Sequence, residues 1–121
     1  MYELTYTTDF CAAHQLVGYN GECKNLHGHN WKLTVTIEVE KLNQIGIAFD
    51  LKDLKKISEK IVKKFDHKFL NDLSPFNKIN PTSENIAREI FYSLKKKLPQ
   101  YCKIKKVSIS ESDKYTVSYY E

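Results

Sequence analysis

His14, Cys23, His27, His29, Asp66, His67 and Glu111 are the side chains whose types and spacing could do chemistry together. The chain has four histidines, and two of them stand one residue apart in "NLHGHNWKL". On a strand, residues two apart point to the same face. His27 and His29 would therefore project together, with Gly28 removing the side chain between them. Two imidazoles on one face are half of a metal site; the alternative is an accident of a turn. His14, in "FCAAHQL", is a third candidate if the strand before it pairs with the strand that follows His27. Three neutral imidazoles suit zinc and leave a fourth position for water or substrate. Cys23 precedes His27 by four residues. It could close the site as a fourth ligand, or stand beside the cation as a thiolate base or nucleophile. Spacing does not choose between these. "FDHKFLN" presents Asp66 and His67 just past a helix, as a polar pair on a loop or as a histidine favoured by the helix dipole.

Alternating patterns supply the strands that must carry these groups. Tyr2, Leu4 and Tyr6 alternate with polar residues, and Trp31, Leu33, Val35, Ile37 and Val39 do so more regularly. Asn43 and Gly46 suit a turn. Asp50 is a helix N-cap, followed by Leu51, Leu54, Ile57, Ile61, Val62 and Phe65 at helical spacing. Residues 66–80, with Pro75 and three asparagines, read as a loop. Thr82 caps a second helix whose buried stripe is Ile86, Ala87, Ile90, Phe91, Leu94 and Leu98, and Pro99 stops it. Two strands close the chain, around Val107–Glu111 and Tyr115–Tyr119. The order ββααββ predicts an α+β domain: an antiparallel sheet with both helices on one face. Glu111 shares its face with Val107 and Ile109. It either finds a partner there or leans into water at the strand end.

The chain has 121 residues, the size of one domain, with 41% hydrophobic and 28% charged residues. No apolar run is long enough for a membrane span. The first residues lack the pattern of a signal peptide, so the expected compartment is the cytoplasm. Cys11, Cys23 and Cys102 are too few and too widely spaced for a disulfide framework. The net charge of +4 comes almost wholly from lysine, with Arg88 the only arginine. The lysines at 52, 55, 56, 60, 63 and 64 and at 95–97 fall on polar helix faces. That argues for solvated faces and against nucleic-acid binding, while tolerating a small polyanion.

"AAHQL", "CKNLHGH", "FDLKDLKK", "DHKFLN", "PTSENIA" and "ES" together resemble the 6-pyruvoyl-tetrahydropterin synthase / 6-carboxy-tetrahydropterin synthase family, in order from about Phe10 to Glu111. The resemblance implies a single tunnelling-fold (T-fold) domain over 1–121: a four-stranded antiparallel sheet with two helices on one face. It also implies homo-oligomers, trimers whose sheets form a barrel or dimers of trimers, with sites between subunits that bind pterins or purines. His14, His27 and His29 match the family's zinc ligands. Cys23 matches the proton acceptor beside the metal. Asp66 and His67 match a proton-transfer pair supplied by a neighbouring subunit. Glu111 matches the acidic group that anchors the pterin and joins the relay. Thr82 and Ser83 fall in the substrate-contact segment, and Cys11 and Cys102 are expected as packing residues.

The short gap from Cys23 to His27 resembles the 6-carboxy-5,6,7,8-tetrahydropterin synthases of queuosine biosynthesis. These are zinc-dependent carbon–carbon lyases that convert 7,8-dihydroneopterin triphosphate to 6-carboxytetrahydropterin, acetaldehyde and triphosphate. The pyruvoyl synthases have a longer gap. A folate-type aldolase subgroup uses a glutamate where this chain keeps Cys23, although Glu22 precedes it. A non-enzymatic, zinc-stabilised assembly module is the alternative outside enzymes.

Overall fold

The computed structural model describes residues 1–21 and 24–121. Two long strands, β1 (Tyr2–His14) and β2 (His27–Val39), form an antiparallel ladder along their whole length. Helix α1 (Leu51–Val62) follows, then a two-residue strand β3 (Lys68–Phe69), helix α2 (Ser83–Lys97), β4 (Cys102–Ser112) and β5 (Tyr115–Tyr119). The sheet order is β3-β1-β2-β4-β5, antiparallel except for the β1–β3 pair. The expected α+β domain and its ββααββ order hold, with one addition. β3 lies in the segment read as a loop, where two residues carry no periodic signal of their own.

The ladders put alternate residues on a face covered by both helices. Phe10 of β1 lies opposite Trp31 of β2, and their rings stack at 6.1 Å. Trp31, Leu33, Val35 and Ile37 continue that face with no exposed surface. Strand β4 reaches it by a change of phase. Ile37 pairs with Ile104, but Thr36 pairs with Lys106, which leaves Lys105 as the extra residue of a bulge. The buried set therefore shifts from Cys102 and Ile104 to Val107 and Ile109. That shift is why simple alternation reveals only the later part of the strand.

Both helices begin at the residues their caps predict. The Asp50 carboxylate accepts from Lys52 N at 2.8 Å, and Thr82 Oγ1 accepts from Asn85 N at 3.1 Å. Glu59 ties α1 to the sheet by accepting from Tyr6 Oη at 2.5 Å and Thr8 Oγ1 at 2.7 Å. Two loop asparagines secure the chain beyond β1 by imitating backbone. Asn71 bonds both N and O of Gln15, and Asn80 bonds both N and O of Val17. Among the described residues, no helix is long and apolar enough to cross a membrane.

Trp31 is the largest fully buried side chain, and its indole donates to Ala12 O at 3.1 Å. Trp31→Ala should cost about 3–5 kcal/mol of stability, read as a lower midpoint in urea unfolding. A loss under about 1 kcal/mol would show that this position is not a packed centre of the core.

Candidate metal centre

The β1–β2 register pairs His14 directly with His27 and places His29 opposite Ala12. All three imidazoles stand at the same end of the same sheet face. Their ring centroids lie 4.4 to 5.2 Å apart, and Trp31 packs edge-on against His14 and His29 at 4.9 and 5.2 Å. One donor nitrogen from each ring lies within 4.8 Å of the others.

The outer hydrogen bonds set the tautomers. His14 Nδ1 is 2.7 Å from Pro81 O, and His27 Nδ1 is 2.6 Å from Asn25 O. A carbonyl oxygen only accepts, so each Nδ1 carries the proton and donates it. In the neutral rings the Nε2 atoms then present lone pairs, and these two atoms are 2.8 Å apart. Lone pairs so close require an electrophile between them, a proton or a metal ion. His29 Nε2 is buried with no hydrogen-bond partner. Glu111 Oε2 is 3.5 Å from it, in ion-pair range but without hydrogen-bond geometry. Burial is the main cause that holds the pKa of both His14 and His29 below the ordinary value; Pro81 on His14, and Glu111 on both, oppose it more weakly. Burial thus favours the neutral form of His14 and His29, and all three rings are aimed at one point. That donor set fits a metal ion, with carbonyls as the outer partners that fix His14 and His27.

Glu111 does turn toward the core side and does find a partner. Ser83 Oγ donates to its Oε1 at 2.8 Å, which leaves Oε2 facing the histidines. Ser83 reaches the site through Glu111, while the Thr82 hydroxyl is engaged in capping α2. Cys23, with both readings of its thiol, lies outside the described residues.

Asp66 and His67 form a second constellation. His67 Nδ1 is 3.0 Å from Asp66 Oδ2. Cys11 N donates to Asp66 Oδ1 at 2.9 Å, and this bond is the main cause that lowers the Asp66 pKa. The dyad packs beside Cys11, whose parity on β1 is opposite to that of His14, so it belongs to the other sheet face. Cys11 therefore departs from the expectation of a packing residue. It is exposed, with Sγ 2.8 Å from Asn30 Oδ1, whereas Cys102 is buried as expected. The carbonyls of Pro81 and Asn25 were invisible to motif reading, because backbone acceptors leave no trace in residue type.

The chain belongs to the 6-pyruvoyl tetrahydropterin synthase family, whose model matches residues 3–121. Enzymes of this family act on pterins as lyases. A protein of Archaeoglobus fulgidus provisionally named 6-carboxy-5,6,7,8-tetrahydropterin synthase is 37% identical over 107 residues, 88% of this chain and 85% of that one. The dihydroneopterin monophosphate aldolase of Pyrococcus furiosus is 36% identical over 114 residues, 94% and 93% of the two chains. The solved 6-pyruvoyl tetrahydropterin synthase of Caenorhabditis elegans superposes with a TM-score of 0.88 at 29% identity, covering 99% of this chain and 95% of that one. The T-fold is therefore the fold of this chain.

Acid should destabilise the metal-free protein through His14 and His29. Their folded pKa values lie below 6.5, so between the two values the unfolded chain binds more protons. No penalty exists above about pH 6.5, and it grows as pH falls through that value. Melting of chelator-treated protein from about pH 7.5 to 5.5 should show this fall, and His29→Gln should flatten it. Equal slopes in both proteins would remove His29 from the linkage.

Proposed function

We propose that this protein is a zinc-dependent 6-carboxy-5,6,7,8-tetrahydropterin synthase acting on 7,8-dihydroneopterin triphosphate, with the queuosine pathway as its setting. The observation that carries the reading is the convergence of three imidazoles, with Glu111 Oε2 3.5 Å from one of them. His14, His27 and His29 would hold the ion, and three nitrogen ligands suit zinc with a position left open. When bound, the ion supplies Lewis-acid polarisation of the substrate's side-chain oxygens.

The chain's own residues do the rest. Glu111, oriented by Ser83, accepts hydrogen bonds from the amino-pyrimidine edge of the pterin and sets the ring in register. Thr82 and Ser83 line that end of the site. Cys23 takes the side-chain proton as a thiolate. Asp66, kept ionised by the Cys11 amide, holds the Nδ1 proton of His67 and leaves Nε2 to carry protons as general acid and base. Triphosphate departs, one water is taken up, and carbon–carbon cleavage releases acetaldehyde and leaves the carboxylate on the pterin.

The dyad and the histidines occupy opposite faces of one sheet. This supports a homo-oligomer, a trimer or a dimer of trimers, in which the dyad of one copy serves the site of the next. The cytoplasm suits such an enzyme. A second reading is the aldolase reaction, favoured by the Pyrococcus furiosus relative, which matches nearly the whole chain. Cys23 favours the carboxy-synthase over it.

Product analysis decides between them. Zinc-loaded protein given dihydroneopterin triphosphate should yield carboxytetrahydropterin and acetaldehyde by mass spectrometry. A hydroxymethyl or pyruvoyl pterin instead would assign the site to a sister reaction. His27→Ala should lose metal and turnover together, whereas Cys23→Ala should keep the metal and lose turnover. Zinc lost from Cys23→Ala would make the thiol a fourth ligand. Glu111→Ala should weaken pterin binding far more than metal binding, measured by equilibrium titration of each.

A further inference from the structure

Cys11, Asp66 and His67 offer a thiol sulfur, a carboxylate oxygen and an imidazole nitrogen that all lie within 4.8 Å of one another. In a tetrahedral zinc site with ligands at 2.0–2.3 Å, neighbouring donor atoms are roughly 3.3–3.8 Å apart. Rotation about side-chain bonds closes that difference. We propose that these three residues form a second binding site for a thiophilic divalent cation such as zinc, separate from the three-histidine centre.

Backbone bonds arrange the trio in advance. His67 N donates to Cys11 O at 2.6 Å, and Cys11 N donates to Asp66 Oδ1 at 2.9 Å. The next residues are locked as well, since Ala12 pairs with Lys68 and Ala13 with Phe69. His67 is the one non-glycine residue at positive φ among those described, at 58°. That left-handed backbone, which ordinary side chains avoid, turns the imidazole back over Cys11 and Asp66. A mixed sulfur, nitrogen and oxygen set selects zinc or cobalt over magnesium or calcium.

Cys11 and His67 border a cleft of about 520 Å³ that is also lined by His29, Asn30 and Phe69. The His67 side chain is 78% exposed in the single chain. Asn30 Oδ1, 2.8 Å from Cys11 Sγ, accepts the thiol proton and is placed to become a fourth, oxygen ligand. Binding replaces the S–H proton with the cation and releases one proton to water. A cation here also withdraws His67 from proton transfer, so excess zinc inhibits. That consequence rests on the relay role given to His67 above; the site itself does not.

The test adds cobalt(II) to the protein already loaded with one zinc per chain. One further cobalt should bind, with zinc retained, and give a thiolate-to-cobalt charge-transfer band. Cys11→Ser should abolish the band, Cys23→Ala should leave it, and His67→Ala should weaken the second ion at least tenfold. Zinc content staying at one per chain in each variant reports an intact fold. Absence of the band, or a band that follows Cys23 and ignores Cys11, overturns the proposal. Turnover with added zinc is then measured. Inhibition above one equivalent supports both the site and the relay. A cobalt band that follows Cys11, without inhibition, supports the site and removes His67 from the relay.

Discussion

The register of β1 on β2 is the constraint from which the site follows. Phe10 must stack on Trp31, and the apolar face of β2 must meet the helices, so the ladder has one acceptable setting. A slip of one residue would turn every buried side chain outward. The same setting, carried to the ends of the strands, brings His14 opposite His27 with His29 beside them. The energy that holds the three imidazoles in place is therefore mostly core packing. The histidines add little cohesion of their own, since two of their lone pairs oppose each other at 2.8 Å.

Strain of this kind is supported from outside. The loop that supplies Pro81 O is held by Asn71 and Asn80, which bond the chain just beyond His14 through paired backbone contacts. Helix α2 begins there, so Ser83 stands at the helix start and reaches Glu111. One short segment thus orients the His14 ring, caps a helix and aims a carboxylate. Electrostatics follows from this placement. The burial that keeps His14 and His29 neutral also keeps a lone pair available on each ring at neutral pH.

Much of the fold was legible in periodicity. Both helices, their caps and the order of the long elements follow from spacing and cap chemistry. β1 runs on to His14, past the reading that ended with Tyr6, because Phe10 and Ala12 sustain the alternation with less contrast. The bulge at Lys105 hid the first half of β4, since periodicity fails where its phase changes. The side-chain roles were less evenly readable. The His27–Gly28–His29 pattern announces itself, and Glu111 stands out as a carboxylate in an apolar phase. Cys11 looked like packing because a single exposed strand position carries no signal about its neighbours.

The sequence by itself determined the residue types: three imidazoles at a spacing that suits a cation, a carboxylate closing an apolar strand phase, and an Asp–His pair after α1. Local spacing decides these matters, because strand and helix periods are local properties. Tertiary structure alone decided the tautomers of His14 and His27, through carbonyls of residues that have no side-chain signature. It alone put Ser83 on Glu111, 28 residues away, and Cys11 beside Asp66, 55 residues away. Contacts over such separations depend on register and on the path of loops, which the packed sheet sets and no short window of sequence encodes.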